Sequence, residues 1–202
     1  MTARRIRIFI DFWNFQLSWN SNMGPKQCDW RALPPTVVGS AASVLTAVGL
    51  TDPVDLEETL LYASVDPVSD ARLRNWLTGT IERLPSWRVS IRERRSQPRH
   101  VHCRNCGAVT TACPTCDQPY RARLEKGVDA AIVTDMLSLA WQDAYDVAVL
   151  ITSDADFVPA VERIQERGLK VINAGWSGKG HQLKAACWGS FDLDAVAGTM
   201  CR

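Results

Sequence analysis

The chain has 202 residues and a formal net charge of +1, and 46% of its residues are hydrophobic. This composition excludes a disordered or collagen-like chain and is typical of one globular domain with a substantial core. No run approaches the roughly 18 apolar residues that a membrane helix needs, and the first residues lack a signal-peptide cleavage site. We therefore expect a cytoplasmic protein without a membrane partner.

Strand-like and helix-like segments alternate along the chain. Short aliphatic and β-branched runs predict strands, and apolar residues at helical spacing predict helices. In chain order they are a strand at 6–11, a helix at 36–48, a strand at 58–63, a helix at 69–84, a strand at 87–92, a helix at 128–141, a strand at 147–152, a helix at 157–167 and a strand at 169–174. Trp76 and Trp141 fit core positions of two helices. The order predicts an α/β fold with a mainly parallel sheet covered on both faces, and ligands bind such sheets at the carboxyl ends of the strands.

Carboxylates follow two predicted strands and begin one helix. Asp11 ends the first strand, Asp154 and Asp156 follow the fourth, and Asp129 lies in the first turn of the helix at 128–141. Each acid alone is a common turn former or helix cap, as Asp156 would be for the next helix, but capping does not explain the group. Clustered carboxylates favour a compensating cation, so we predict an Mg²⁺ or Mn²⁺ site at this edge.

A hard divalent metal at this edge is typical of nuclease chemistry, because it can activate water and stabilise charge on a phosphodiester. Two other enzyme classes expect acidic residues that this chain does not have at the corresponding positions. A phosphatase of the haloacid dehalogenase type needs a second aspartate at position 13, where this chain has Trp13. A Toprim-type nuclease expects a glutamate where Asp11 stands. A non-catalytic RNA-binding or scaffold module with a vestigial acid cluster stays open.

The chain resembles the NYN domain of the PIN-like nuclease superfamily, especially its LabA-like branch, in the segments IDFWN, KGVDAAIVTDML, VAVLITSDADFVPAVERIQERGLKVINAGW and LKAACWGSFDLD. The resemblance covers most of 1–202. It implies a Rossmann-like, PIN-like α/β/α sandwich that hydrolyses RNA with Mg²⁺ or Mn²⁺. The residues that it implies are Asp11, Asp129 and Asp154 as metal ligands, Asp156 as a fourth acid, Asn14 as a polar partner near the metal or scissile phosphate, and Lys126 as a phosphate contact.

Some positions depart from the family pattern. Phe12 and Trp13 follow the first acid, where a small residue is common, and Ser153 stands where glycine is common. These changes concern the shape of the substrate cleft more than the metal site. Asp135 matches a recurrent family acid, but six residues turn a helix by about 600°, so it cannot share a face with Asp129 and its role stays open.

Four of the seven cysteines form two close pairs separated by six residues. The pairs are Cys103 with Cys106 and Cys113 with Cys116. Such paired elements wrap one tetrahedral Zn²⁺, and four thiolates leave no open position, so we predict a structural zinc-binding insertion at 99–120. His100 or His102 could replace one cysteine. The pairing and the odd count favour a reducing compartment.

The segment 88–126 is basic. It contains nine Lys or Arg and three acidic residues, a formal charge of +6 within a chain of only +1. This excess predicts a surface for RNA phosphates, with Arg94, Arg95 and Arg99 as contacts, although a solvated strand edge is the alternative. The sequence does not show which RNA is cut, or whether the chain forms a homo-oligomer or has a protein partner.

Overall fold

The computed structural model describes residues 3–124 and 127–202, with the backbone alone at 95–97 and 122–124. In chain order the strands and α-helices are β1 (Arg4–Asp11), α1 (Phe12–Met23), α2 (Leu33–Ala47), β2 (Val54–Val65), α3 (Ala71–Trp76), β3 (Trp87–Glu93), β4 (Arg95–Pro98), β5 (Val101–His102), β6 (Val109–Thr110), β7 (Arg121–Leu124), α4 (Val128–Trp141), β8 (Val147–Ile151), α5 (Val158–Glu166), β9 (Lys170–Gly175), α6 (His181–Ala186) and β10 (Gly189–Asp192). None of the described helices is long and apolar enough to cross a membrane.

Six strands form one parallel sheet in the order β3-β2-β1-β8-β9-β10. Strands β2 and β3 extend the sheet on one side of β1, and β8, β9 and β10 extend it on the other side. In open α/β sheets a ligand crevice forms at the carboxyl ends of the strands where the order reverses. The predicted parallel α/β fold is therefore confirmed, and its switch point lies between β1 and β8.

Both faces of the sheet are buried. Along β1, Ile8 and Ile10 face the cluster that contains Phe15 of α1, whereas Phe9 faces the opposite cluster. Phe9 there contacts Tyr145 edge to face, with ring centroids 5.9 Å apart. Strands buried on both faces are apolar at successive positions, which explains the continuous apolar runs 8–10 in β1 and 147–151 in β8.

The sequence prediction missed α1, α6 and β10 of this fold, together with the four short strands β4, β5, β6 and β7. Helix α1 is rich in Asn and Ser and lacks a clear apolar period, so its tertiary packing through Phe15 and Trp19 stabilises it. The predicted helix at 69–84 is divided into α3 and a π-helical segment, Leu77–Ile81. The core position predicted for Trp141 is wrong, because 54% of this residue is exposed.

The described residues between β3 and α4 form an antiparallel ribbon. Strand β4 pairs with β7, β5 pairs with β6, and an isolated bridge joins Ala112 to Pro119. The ribbon contains the cysteine pairs of the predicted insertion at 99–120. Because β3 ends and α4 begins at the carboxyl edge of the sheet, the ribbon leaves the sheet on the side of the candidate acids.

Candidate active site

Asp11 ends β1 and caps α1. Its Oδ1 accepts a hydrogen bond from the backbone N–H of Asn14 at 3.2 Å, which satisfies one amide of the helix N-terminus. Its Oδ2 accepts a hydrogen bond from the hydroxyl of Thr152, 3.3 Å away at the end of β8. Only 8% of Asp11 is exposed. A nearly buried carboxylate is therefore held by two neighbouring strands at the switch point.

Asp154 lies in the turn that follows β8. Its backbone N–H donates to the hydroxyl of Thr152 at 3.3 Å, and its Oδ1 accepts the N–H of Asp156 at 2.9 Å. Asp154 therefore caps the short 3-10 helix Ala155–Phe157, whereas α5 begins without a side-chain cap. Asp154 is partly buried and Asp156 is exposed. The cap that the sequence suggested for Asp156 at the following helix is therefore not formed, and Asp154 instead caps the short 3-10 helix before α5.

Two polar residues fix the turn after β8 to its surroundings. Asn14 accepts the backbone N–H of Ser153 through Oδ1 at 3.0 Å, which joins α1 to this turn. Asn173, fully buried in β9, donates from Nδ2 to the carbonyls of Leu150 and Thr152 at 3.1 and 2.9 Å. The sequence analysis missed Thr152 and Asn173. The signal that could have found them is a polar side chain inside or directly after a buried strand.

The two acids of α4 have different surroundings. Asp129 is exposed in the first turn, whereas Asp135 accepts a hydrogen bond from the hydroxyl of Tyr62 at 2.7 Å. Tyr62 pairs with Asp11 in the register of β1 and β2, and burial, together with Asp135, raises the pKa of its phenol. Asp135 therefore faces the sheet, and Asp129 faces solvent.

The loop that follows β9 packs on the same turn. A Cβ atom at Gly180 would lie 3.0 Å from the Cα of Ser153, so no other residue fits there without a shift. Lys179 in this loop is exposed, and its Nζ donates to the hydroxyl of Ser18 at 3.2 Å. The loop therefore brings a cation to the carboxyl edge of the sheet.

The predicted phosphate contacts are not equivalent. Only 8% of Arg94 is exposed, its guanidinium lies 2.5 Å from Asp70, and it stacks on Trp13 at 4.5 Å from the ring centroid. Arg94 is therefore a buried ion-pair partner and not a surface phosphate contact. Arg99 is exposed. Lys126 and the side chain of Arg95 lie outside the described residues.

A divalent metal at this edge would need oxygen ligands from the candidate acids. Carboxylate oxygens are the donors that Mg²⁺ and Mn²⁺ prefer. Within 3–124 and 127–202, no three ligand side chains lie close enough together to hold a metal ion. Mg²⁺ commonly uses one or two carboxylates and completes its shell with water and substrate phosphate. Asp11 and Asp154 fit such a partial shell, whereas a three-carboxylate site that includes Asp129 is not formed.

The two cysteine pairs lie in equivalent turns. In the first turn the N–H of Cys103 donates to the carbonyl of Ala108 at 2.8 Å, and the N–H of Gly107 donates to the carbonyl of Cys103 at 2.9 Å. Both bonds recur ten residues later around Cys113, each at 2.9 Å. The residue after each second cysteine has a positive φ, 71° at Gly107 and 55° at Asp117.

Backbone amides favour the thiolate form in each turn. The N–H of Cys106 is the main group that lowers the pKa of the Cys103 thiol, and the N–H of Thr115 has the same effect on Cys113. The described cysteines do not, however, gather into a group of three or more. The four cysteines of the ribbon have the thiol chemistry of zinc ligands, but they form two separate pairs.

A parallel α/β sheet with carboxylates at its switch point defines a Rossmann-like protein with a ligand site at the carboxyl edge. The NYN domain model matches residues 5–194, so the chain belongs to the NYN domain family. NYN domains are nuclease-like and typically depend on divalent metals. The family predicted from the sequence is confirmed.

Two similar proteins have no established function. The fold is similar to that of a protein of unknown function from Vibrio parahaemolyticus, with a TM-score of 0.59 and 17% identity over 99% of this chain and 97% of that one. A 60-residue segment is 35% identical to an uncharacterized protein of Methanocaldococcus jannaschii and covers 29% of this chain. The match spans 25% of that relative's length.

Proposed function

We propose that this chain is a metal-dependent ribonuclease of the LabA-like branch of the NYN family, acting on RNA in the cytoplasm. The observation that carries the proposal is the hydrogen-bonded link from Asp11 through Thr152 to the backbone of Asp154. It joins two carboxylate-bearing residues at the one place in the sheet where a ligand crevice is expected. The proposed domain covers 1–202, with the zinc-binding element inserted at 99–120.

The proposed roles follow from the position of each acid. Asp11 and Asp154 would hold Mg²⁺ or Mn²⁺, which would supply a water of lowered pKa and stabilise charge on the phosphodiester. Asp129 and Asp156 are exposed at the same edge, where they can accept hydrogen bonds from water. Asn14 keeps the turn after β8 against α1. The expected products have 5′-phosphate and 3′-hydroxyl ends.

Basic residues around this edge would hold the RNA backbone. Exposed Arg99 and Lys179 are available for phosphate oxygens, and the charge of 88–126 favours RNA over an uncharged substrate. We propose that Lys126 and Arg95 also contact phosphate oxygens of the RNA. A homo-oligomer or a protein partner is compatible with this arrangement and is not needed for it.

The test is cleavage of a mixed set of single-stranded and structured RNAs with Mn²⁺, Mg²⁺ or EDTA. Wild type is compared with Asp154→Asn and with the control Glu162→Gln, which changes an exposed acid on α5. We expect metal-dependent cleavage by wild type and Glu162→Gln, and none by Asp154→Asn. Products with 2′,3′-cyclic phosphates would contradict the hydrolytic route. Absence of cleavage by folded wild type, with RNA still bound, would favour the non-catalytic RNA-binding alternative.

We also propose that the ribbon binds one structural Zn²⁺. The support is the equivalence of the two turns and the lowered thiol pKa of Cys103 and Cys113. Zinc binding requires the two turns to close on each other. Elemental analysis of the purified protein should find about one zinc per chain, with less in Cys103→Ser and Cys113→Ser and no change in the control Cys187→Ser. A wild type without zinc would contradict the proposal.

A further inference from the structure

Two cysteines outside the paired motif meet in the folded chain. Cys28, in the segment after α1, and Cys201, in the segment after β10, form an isolated antiparallel bridge. The backbone N–H of the residue after Cys28 donates to the backbone carbonyl of the residue before Cys201, at 2.7 Å. In the same way, the N–H of the residue after Cys201 donates to the carbonyl of the residue before Cys28, at 3.0 Å. These flanking bonds identify a non-hydrogen-bonded pair.

The geometry of such a pair suits a disulfide. Directly opposed residues of a non-hydrogen-bonded pair have Cα atoms about 4.5 Å apart and side chains on the same side. Disulfides span Cα separations of about 4.4–6.8 Å. Cys28 is buried in the main hydrophobic cluster, and Cys201 packs against the same cluster. Both thiols therefore lie on one side of the bridge, in one environment.

The two thiols differ in reactivity. Burial raises the pKa of the Cys28 thiol to about 12, so it is protonated at neutral pH. Cys201 is only partly buried, and its thiol donates to the carbonyl of Ala197 at 3.2 Å. A cavity of 360 Å³, lined by polar residues that include Gln16 and Arg202, reaches Cys28. Because Cys201 is the more exposed of the two thiols, a small oxidant would react first at Cys201, and Cys28 would complete the reaction.

We propose that Cys28 and Cys201 form a reversible disulfide by exchange with a low-molecular-weight disulfide. The Cys201 thiolate attacks one sulfur of that disulfide, forms a mixed disulfide and releases one small thiol. Cys28 then loses its proton and attacks the sulfur of Cys201, which releases the second small thiol. Two protein thiols are oxidised while one small disulfide is reduced to two thiols. The inference does not rest on the proposed nuclease function.

The cross-link would tie the segment that follows α1 to the segment that follows β10. Because these cysteines lie far apart in the sequence, the disulfide restricts a long loop of the unfolded chain, which is where a cross-link stabilises most in the chain-entropy account. For a domain of this size we expect Tm to rise by about 5–15 °C. A reductant should reverse the rise.

The test uses the full chain and oxidised glutathione as the probe, followed by alkylation of the remaining thiols and non-reducing peptide mapping by mass spectrometry. We expect a peptide that joins Cys28 to Cys201 and the rise in Tm, with both reversed by dithiothreitol. Cys201→Ala and Cys201→Ser should lose both effects, and the control Cys187→Ala should keep them. Peptide mapping separates this link from any formed among the four cysteines of the ribbon.

Two outcomes would overturn the inference. One is a glutathione adduct that persists on Cys201 while Cys28 remains alkylatable. The other is a shift in Tm that is equally large in Cys201→Ala, because the shift would then come from other cysteines.

Discussion

The hydroxyl of Thr152 lies 3.3 Å from the carboxylate Oδ2 of Asp11. The same hydroxyl accepts the backbone N–H of Asp154 at 3.3 Å. Thr152 is almost completely buried, at 2% exposure, so water cannot readily replace it. One side chain therefore couples the end of β1 to the turn after β8, and the distance between the two candidate metal ligands depends on it.

The first prediction concerns this hydroxyl. In Thr152→Val the Oδ2 of Asp11 and the N–H of Asp154 each lose a buried partner, so we expect a loss of about 1–3 kcal/mol in the free energy of unfolding. Cleavage should fall at least about tenfold, because misplaced ligands weaken catalysis steeply. Thr152→Ser keeps the hydroxyl and should retain most of the stability and most of the cleavage activity. Chemical denaturation and RNA cleavage measure the two effects, and wild-type cleavage by Thr152→Val would show that the link is dispensable.

The second prediction compares two glycines of one loop. Gly180 and Gly178 both have positive φ, 65° and 74°, but only Gly180 abuts Ser153, whereas a Cβ at Gly178 meets nothing within 4 Å. Both Gly→Ala changes cost backbone strain, and Gly180→Ala adds a steric clash with the turn after β8. We expect Gly180→Ala to be less stable than Gly178→Ala by about 1–3 kcal/mol, and to cleave more slowly. Equal denaturation midpoints would argue against this close approach.

The third prediction separates two arginines of the basic segment. Arg94→Ala removes the ion pair of the partly buried Asp70 with Arg94, so we expect a loss of about 3 kcal/mol and a Tm lower by about 6–12 °C. Arg99→Ala should change stability by less than about 0.5 kcal/mol. Arg99→Ala should instead weaken RNA binding and reduce the dependence of that binding on salt concentration. Thermal denaturation and RNA binding at two salt concentrations distinguish these cases, and the reverse pattern would contradict both assignments.

The fourth prediction uses the capping role of Asp154. Asparagine keeps an oxygen that can accept the N–H of Asp156, so Asp154→Asn should be within about 1 kcal/mol of wild type. Asp154→Ala removes the cap and should lose about 0.5–2 kcal/mol. Both should abolish cleavage, since neither retains the carboxylate. Asp156→Asn, at an exposed position, should keep stability and part of the activity. Cleavage by Asp154→Asn at the wild-type rate would refute the proposed ligand role.

Several features could be predicted because they depend on neighbouring residues. The uninterrupted apolar run Val147–Ile151 predicted a strand buried on both faces, and apolar residues at helical spacing predicted Val128–Trp141 with the bounds found. Asp11 and Asp154 were identified because Asp11 ends one strand and Asp154 lies in the turn after another. The order of strands and helices then implied that both acids reach one edge of a parallel sheet.

Other features depend on contacts between distant parts of the chain. Charge composition indicated that Arg94 is basic surface, but its pairing with Asp70 and stacking on Trp13 bury it. Helical spacing assigned Trp141 to the core, yet no element within the described residues covers its face of α4, where Arg167 stacks on the exposed ring at 5.2 Å. A periodic pattern identifies an apolar position but not the element that will cover it.

The sequence by itself determined the parallel α/β class and the acids at the strand ends, because backbone periodicity and the alternation of strands and helices are encoded locally. Its resemblance to the NYN domain gave the family. Only the tertiary structure decided that Thr152 joins Asp11 to the turn after β8, and that Cys28 lies opposite Cys201. Neither contact has a sequence motif. Each forms because the sheet and its helices bring distant segments within hydrogen-bonding or side-chain distance, and that arrangement is set by the packing of the whole core.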